Sequence, residues 1–268
     1  YTLRTGAAEA FCRQDSVLDP SKQSNSLILV NNRYKLSKIS QPDEKLFSVY
    51  EMKNHSYKVR DTTVQLTREC LEAFNRMMLD FEAATGKHDV IVLSGYRSIE
   101  QQQELIDRET ERSGAEKAVS LVAEVGGSEH HTGLALDLGI YTDRGKSKKF
   151  RAEGDYAWLI KNMYRYGFVV RYRSDKSEFT GIADEPWHIR YVGVPHAGAM
   201  EQLGYCLEEY IDYLHSFTAS GQHLFIIDEN KRYEVYTIKS GEAFILPGEN
   251  AYSLSGDNRG NYIVTIEL

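Results

Sequence analysis

The sequence predicts an α+β fold, in which a small antiparallel sheet is flanked by helices and a short all-β appendage follows at the C-terminus. Up to about residue 215, segments with apolar residues at helical spacing lie between short apolar strands. After residue 216, four short strands are predicted over residues 223–228, 232–239, 242–247 and 261–267. They are separated by Asp, Asn, Gly and Pro turns, with no helical pattern among them. We therefore predict an N-terminal arm over residues 1–26, a main domain over 27–215 and a small β-rich domain over 216–268.

Local signals mark the ends of several helices. The apolar spacing predicts a helix from Thr63 to Thr85, with Gly86 as its C-terminal cap. Ser98 and Gln101 form a capping-box pattern, which predicts that the next helix follows directly. Three more helices are predicted over residues 114–127, 155–166 and 195–217.

Strands are predicted in the main domain over residues 26–32, 89–94, 134–141, 168–172 and 188–193. In the third of these, LALDLGIY, leucines alternate with Ala135, Asp137 and Gly139. Successive side chains of a strand point to opposite faces, so the leucines face the core and Asp137 faces a side of small residues. A carboxylate in such an apolar strand is costly unless a partner compensates it.

Composition and charge exclude some classes of function. The net charge of −7 over 268 residues argues against a nucleic-acid-binding surface. No apolar run approaches the roughly 18 residues of a membrane span. The three cysteines, Cys12, Cys70 and Cys206, lack the spacing of a thiolate metal site or a disulfide framework.

Two motifs offer a partner for Asp137. SEHHTGLALD places two histidines shortly before the acid, and EPWHIRY carries His188 three residues after Glu185. Two imidazoles and one carboxylate leave an open position on a tetrahedral Zn²⁺, which is the arrangement of a catalytic site. A nearby glutamate that does not bind the metal can then act as general base. Taken singly, residues of these types are more often structural than metal-binding.

Three motifs together resemble a known group of enzymes. SEHHTGLALD fits SxHxxGxAxD and EPWH fits ExWH, patterns of the zinc peptidases grouped with lysostaphin, D-alanyl-D-alanine peptidases and the hedgehog domain. SGYRS with Gln101, YGFVVRY and EPWHIRYVG resemble the VanY-type D-alanyl-D-alanine carboxypeptidases in particular. The resemblance covers roughly residues 27–215.

The resemblance implies a role for each matching residue. The metal ligands are His130, Asp137 and His188, holding one Zn²⁺ per chain, and Glu185 is the general base. Arg97 contacts substrate and stabilises the oxyanion, and Gln101 and Ser128 line the substrate pocket. His131 is expected to lie behind the ligands or at the surface.

By the same resemblance, the substrate is a peptidoglycan stem peptide that ends in D-Ala-D-Ala. Other wall endopeptidases, such as L-alanyl-D-glutamate endopeptidases, share the motifs, and a D-Ala-D-Ala dipeptidase and a non-enzymatic zinc-stabilised binding module are further alternatives. Such a substrate implies a site of action outside the cytoplasm. The chain begins at Tyr1 rather than Met, so we expect that an earlier segment has been removed, with a signal peptide or anchor as a candidate.

Overall fold

The computed structural model describes residues 1–10, 12–15, 23–36, 46–142, 145–242, 244–247 and 251–268. Its strands are β1 (Thr2–Gly6), β2 (Cys12–Asp15), β3 (Gln23–Ser24), β4 (Leu46–Ser48), β5 (Lys58–Val59), β6 (Gln65–Thr67), β7 (Val90–Ser94), β8 (Ala135–Tyr141), β9 (Ser147–Lys149), β10 (Phe168–Tyr172), β11 (Glu185–Tyr191), β12 (His223–Ile227), β13 (Arg232–Lys239), β14 (Phe244–Pro247), β15 (Tyr252–Gly256) and β16 (Asn261–Glu267). Its α-helices are α1 (Val49–Met52), α2 (Arg68–Thr85), α3 (Ile99–Ser113), α4 (Ala115–Leu121), α5 (Ala157–Asn162), α6 (Ser177–Thr180), α7 (His196–Leu203) and α8 (Leu207–Leu214). Among the described residues, no helix is both long and apolar enough to cross a bilayer.

Contacts along the chain divide it into two compact units. The central unit is Val30–Tyr191, and the terminal unit combines Tyr1–Leu29 with Val192–Leu268. These limits differ from the predicted boundaries at 26/27 and 215/216. The N-terminal segment joins the C-terminal one because β1 pairs with β12, a partner more than two hundred residues away that leaves no local signal in the sequence. Residues 11 and 16–22 of the predicted arm lie outside the described part of the chain.

The central unit contains the predicted small sheet. Its strand order is β10-β11-β8-β7-β5, with β9 beside β8. All neighbours are antiparallel except β5 and β7. The core contains the buried face of α2 together with apolar side chains of β7, β8 and β11. Burial of each large apolar side chain contributes roughly 1.5–3 kcal/mol, so this core is what holds the sheet in place.

Several local predictions are confirmed. Helix α2 ends at Thr85 with Gly86 as its cap, although it begins at Arg68 rather than Thr63 because Gln65–Thr67 form β6. Ser98 with Gln101 forms a complete capping box at the start of α3. Strands β7, β8, β10 and β11 occur where strands were predicted.

Other local predictions were wrong. Residues 26–32 form no strand; Leu27–Val30 are buried, and Ile28 N–H donates to the Asn25 carbonyl as in a turn. The predicted helix over 195–217 is broken at Gly204, whose φ of 67° ends α7 before α8 begins. The predicted helix over 155–166 is a series of short 3₁₀ and α segments around α5.

The terminal unit is built on a six-stranded sheet of order β1-β12-β13-β16-β15-β3. The four strands predicted after residue 216 correspond to β12, β13, β14 and β16, whereas β1 and β15 were not predicted. A fully buried carboxylate, Glu234, anchors the N-terminal segment by accepting the N–H groups of Glu9 and Ala10 at 3.0 and 2.8 Å. It also lies 2.6 Å from His223 Nδ1.

Gly95, directly after β7, lies where the chain closely approaches the backbone of Gln65. A Cβ at this position would collide with the backbone oxygen of Gln65, which already accepts the N–H of Tyr96 at 2.7 Å. We expect Gly95→Ala to lower the free energy of unfolding by about 1–3 kcal/mol, measured by urea denaturation. Gly256→Ala is the control, because its nearest atom would be Tyr262 Cε1 at 4.0 Å. Equal effects of the two substitutions would contradict the close approach.

Candidate metal centre

Two neighbouring strands and one short helix bring the predicted ligands together. In the antiparallel pair of β8 and β11, Asp137 lies directly opposite His188. Directly opposed residues of an antiparallel pair project to the same face of the sheet. His130 comes from a 3₁₀ helix, Glu129–Thr132, that ends just before β8.

The geometry of these three residues suits a metal ion. His130 Nε2 lies 3.1 Å from Asp137 Oδ2, and His188 Nδ1 lies 3.0 Å from Asp137 Oδ1. One ligand atom from each residue falls within 4.8 Å of the other two. The two imidazole rings are perpendicular, with centroids 5.1 Å apart. Two imidazole nitrogens and one carboxylate oxygen are a donor set that fits Zn²⁺ and leaves a position open.

The rear nitrogen of His130 is held by the backbone. Nδ1 of His130 lies 2.6 Å from the Gly95 carbonyl, so Nδ1–H donates there and the lone pair of Nε2 is available to a metal ion. His131 points elsewhere. Its Nδ1 lies 2.7 Å from the Arg97 carbonyl, and its Nε2 accepts the N–H of Gly126 at 3.2 Å. Both nitrogens of His131 are thus bound to the backbone, which agrees with the expectation that it is not a ligand.

A cavity of about 600 Å³ opens onto the cluster. It is lined by the three candidate ligands together with Arg97, Ser128 and Glu185. Glu185 begins β11, three residues before His188, and its side chain is half-buried. The Arg97 guanidinium is held in place by Gln102 Oε1 at 2.8 Å and Ser94 Oγ at 3.2 Å.

Gln101 is not among the residues that line this cavity. Its side-chain oxygen accepts the N–H of Ser98 at 2.9 Å in the capping box, and it lines a neighbouring cavity of about 280 Å³. The glutamine at the cavity of the cluster is Gln102, which is fully buried between Arg97 and the Ala123 carbonyl. In a capping box the side chain at helix position N3, here Gln101, binds the backbone N–H of the N-cap residue. The next residue, Gln102, is therefore the one that faces the cavity.

Charges within the cluster shift the pKa values of its members. Burial alone would raise the pKa of Asp137, but the imidazoles of His130 and His188 hold it well below its usual range. Burial lowers the pKa of His130 despite Asp137. For His188, the carboxylates of Asp137 and Glu129 outweigh burial and raise the pKa to about 9. A metal ion must therefore displace a proton from His188, so metal affinity falls as the pH is lowered.

Sequence reasoning missed several residues of the site. Glu129, between Ser128 and His130, is completely buried and paired with Arg171 and Arg190. Lys149 lines the cavity and lies 3.7 Å from the centre of the Trp187 ring. Arg190 could have been found from the sequence, because side chains alternate between the two faces of β11 and this alternation places Arg190 on the same face as His188.

Comparison with known proteins places the chain in a family. A family described as "VanY: D-alanyl-D-alanine carboxypeptidase" matches residues 63–194. A D-alanyl-D-alanine carboxypeptidase of Enterococcus faecium is 30% identical over 257 residues, covering 95% of this chain and 79% of the relative. The chain belongs to the VanY family of D-alanyl-D-alanine carboxypeptidases. The predicted family, fold class and enzyme class are confirmed, which sets aside the non-enzymatic alternative.

Solved structures of the VanY family and its relatives share the fold. The vancomycin resistance D,D-dipeptidase VanXYg, in complex with a D-Ala-D-Ala phosphinate analogue, has a TM-score of 0.79 and 26% identity, covering 100% of both chains. A mutant of the D,D-pentapeptidase VanY from a VanB-type resistance cassette, in complex with Zn(II), has a TM-score of 0.55 and 33% identity. It covers 69% of this chain and 98% of its own. The similarity to VanXYg thus includes the terminal unit as well as the central unit.

The half-buried Glu185 carboxyl should make the free energy of unfolding depend on pH. Burial raises its pKa above the ordinary value of 4.5, although the nearby His188 opposes the shift. The carboxyl is neutral in both states below the unfolded pKa, and its charge disfavours the folded state above the folded pKa. We therefore expect metal-free Glu185→Gln to gain stability over the unsubstituted protein as the pH rises from about 4 to about 8. Urea denaturation at several pH values measures this gap, and exposed Glu178 supplies the control Glu178→Gln. A gap that stays constant or closes with rising pH would contradict the burial of the charge.

Proposed function

We propose that this VanY-family protein is a zinc-dependent D,D-carboxypeptidase that releases the terminal D-alanine from peptidoglycan stem peptides. The observation that carries the proposal is the convergence of His130, Asp137 and His188, with one ligand atom of each within 4.8 Å of the others, beside a cavity that also presents Glu185 and Arg97. We propose one Zn²⁺ per chain, held by these three side chains. A substrate of this kind implies that the protein acts on the wall side of the membrane.

The side chains divide the chemistry between them. Bound zinc supplies Lewis acidity, which acidifies water and polarises a carbonyl group. Glu185 takes the proton of the attacking water and returns it to the leaving amine. Its raised pKa suits both steps, since a general base works best when its pKa approaches the operating pH.

Arg97 acts on the negative charge of the substrate. Its side chain is oriented by Gln102 and Ser94 before substrate arrives. Such preorganised donors contribute most where charge develops in the transition state. Arg97 therefore stabilises the developing oxyanion or binds the terminal carboxylate, and Ser128 lines the same cavity as a polar contact for the peptide. We propose that Gln101 contacts the substrate from the neighbouring cavity, which it lines.

A D-Ala-D-Ala dipeptidase is the second candidate. The similarity to VanXYg, a D,D-dipeptidase, extends over the full length of both chains. A carboxypeptidase accepts a neutral amide on the amino side of the scissile dipeptide, whereas a dipeptidase must accommodate a charged amine there. A panel of substrates separates the two.

The roles of Glu185 and His188 are separable by substitution. We expect Glu185→Gln to retain about one zinc per chain and to lose turnover by at least roughly a hundredfold, because the general base is gone while the ligands remain. His188→Ala should lose both metal and activity. Zinc content by atomic absorption and D-alanine release from a stem pentapeptide measure the two properties. Turnover of Glu185→Gln close to that of the unsubstituted enzyme would remove Glu185 from the mechanism.

The free C-terminus of the substrate supplies another test. Since a guanidinium binds a carboxylate through two parallel hydrogen bonds, we expect release of D-alanine from a peptide that ends in D-Ala-D-Ala. The same peptide with a C-terminal amide, or with a terminal L-alanine, should be cleaved poorly. The free dipeptide should also be a weaker substrate. Mass spectrometry of the four reactions decides: equal cleavage of acid and amide favours an endopeptidase, and preferential cleavage of the dipeptide favours a dipeptidase.

A further inference from the structure

A buried carboxylate lies directly behind one of the candidate ligands. Glu129 Oε2 is 3.6 Å from His188 Nε2, the imidazole nitrogen on the far side of the ring from Asp137. Both side chains are buried, and among the described residues neither of these two atoms has a hydrogen-bond partner. Buried polar atoms of native proteins are almost always paired, so two such atoms that face each other call for an explanation.

Two arginines fix the position of this carboxylate. Glu129 Oε1 accepts Arg171 Nε at 2.7 Å and Arg190 Nη1 at 2.8 Å. Both arginines are completely buried, and they come from the adjacent strands β10 and β11. With Oε1 occupied by two charged donors, Oε2 is left directed towards His188.

The tautomer of His188 depends on what faces its rear nitrogen. If Nδ1 binds the metal through its lone pair, the proton of the neutral ring must be on Nε2. His130 has the corresponding rear contact in the Gly95 carbonyl. A carboxylate in this position orients the imidazole, selects the tautomer and increases the basicity of the ligand.

We propose that Glu129 is a positioning residue for the metal site: it accepts Nε2–H of His188 and so holds Nδ1 ready for the metal. This inference rests on the proposed zinc site. Glu129 acts through His188 and takes no part in the proton transfers assigned to Glu185. Arg171 and Arg190 both donate to Oε1 and hold the carboxylate in place, so that Oε2 stays directed at His188.

Glu129→Gln is the informative substitution. Both arginines will donate to the single amide oxygen of the glutamine. Its NH₂ group then faces His188 Nε2 and favours the His188 tautomer that carries its proton on Nδ1. That tautomer cannot bind the metal through Nδ1. Loss of such a rear contact typically costs 10–100-fold in metal affinity, and we expect a rise in the zinc dissociation constant of about that size.

The measurement is zinc affinity in the full-length chain by competition with a chromophoric chelator, under conditions where each variant is folded by circular dichroism. Glu234→Gln is the matched control, because Glu234 is equally buried and also contacts a histidine, but lies in the terminal unit. It should lower stability and leave zinc affinity unchanged. A purely structural role for Glu129 predicts that both variants bind zinc as tightly as the unsubstituted protein, and this result would overturn the inference.

Nuclear magnetic resonance of the unsubstituted protein gives a second test, which holds even if Glu129→Gln does not fold. With ¹⁵N-labelled histidine, the zinc-loaded protein should show His188 protonated at Nε2 and unprotonated at Nδ1. A His188 protonated at Nδ1 in the loaded protein would refute the inference. Failure of the unsubstituted protein to bind zinc would instead refute the proposed metal site, so the two failures are distinguishable.

Discussion

The antiparallel register of β8 and β11 determines both the core and the site of the central unit. Asp137 lies opposite His188 on one face, while Leu136 lies opposite Ile189 on the other, where both are fully buried. A slip of one residue would exchange the faces, burying the polar pair in the core and exposing the apolar one. The hydrophobic core thus enforces the register that brings two candidate ligands together, and the position of His130 follows from the short helix that leads into β8.

The site also shows how charge is accommodated inside a small sheet. The partly buried Asp137 is compensated by two imidazoles, and the fully buried Glu129 by two guanidinium groups, so each carboxylate has partners of opposite or variable charge. Breaking one member of such a group leaves an uncompensated charge, which is more costly than removing the whole group. These networks therefore specify one arrangement of the strands at the cavity as well as supplying its chemistry.

Much of this could be predicted from the sequence, because the relevant signals are local. The helix termini at Gly86 and Ser98 and the strand around Asp137 follow from short-range patterns. The choice of His130 over His131 as a ligand comes from the family resemblance, whose pattern places the histidine two residues after Ser128. The resemblance assigned Gln101 to the substrate pocket although the same side chain was predicted to form the capping box, and Gln102 lies at the cavity instead. Glu129 was missed because its arginine partners are 42 and 61 residues away in the chain.

The pairing of β1 with β12 has a consequence for the order of folding during synthesis. The central unit is one continuous segment, Val30–Tyr191, and has all of its strands once that segment has emerged. In contrast, β1 is made before the central unit but has no partner until residues 223–227 have been made. At about 5–20 residues per second, this delay is roughly 10–40 seconds. The sequence of β1, TLRTG, is mostly polar, which disfavours pairing of this unpaired strand with other chains before β12 has been made. The segment that contains the candidate ligands can thus reach its fold on the ribosome before the sheet that joins the two ends of the chain has been completed.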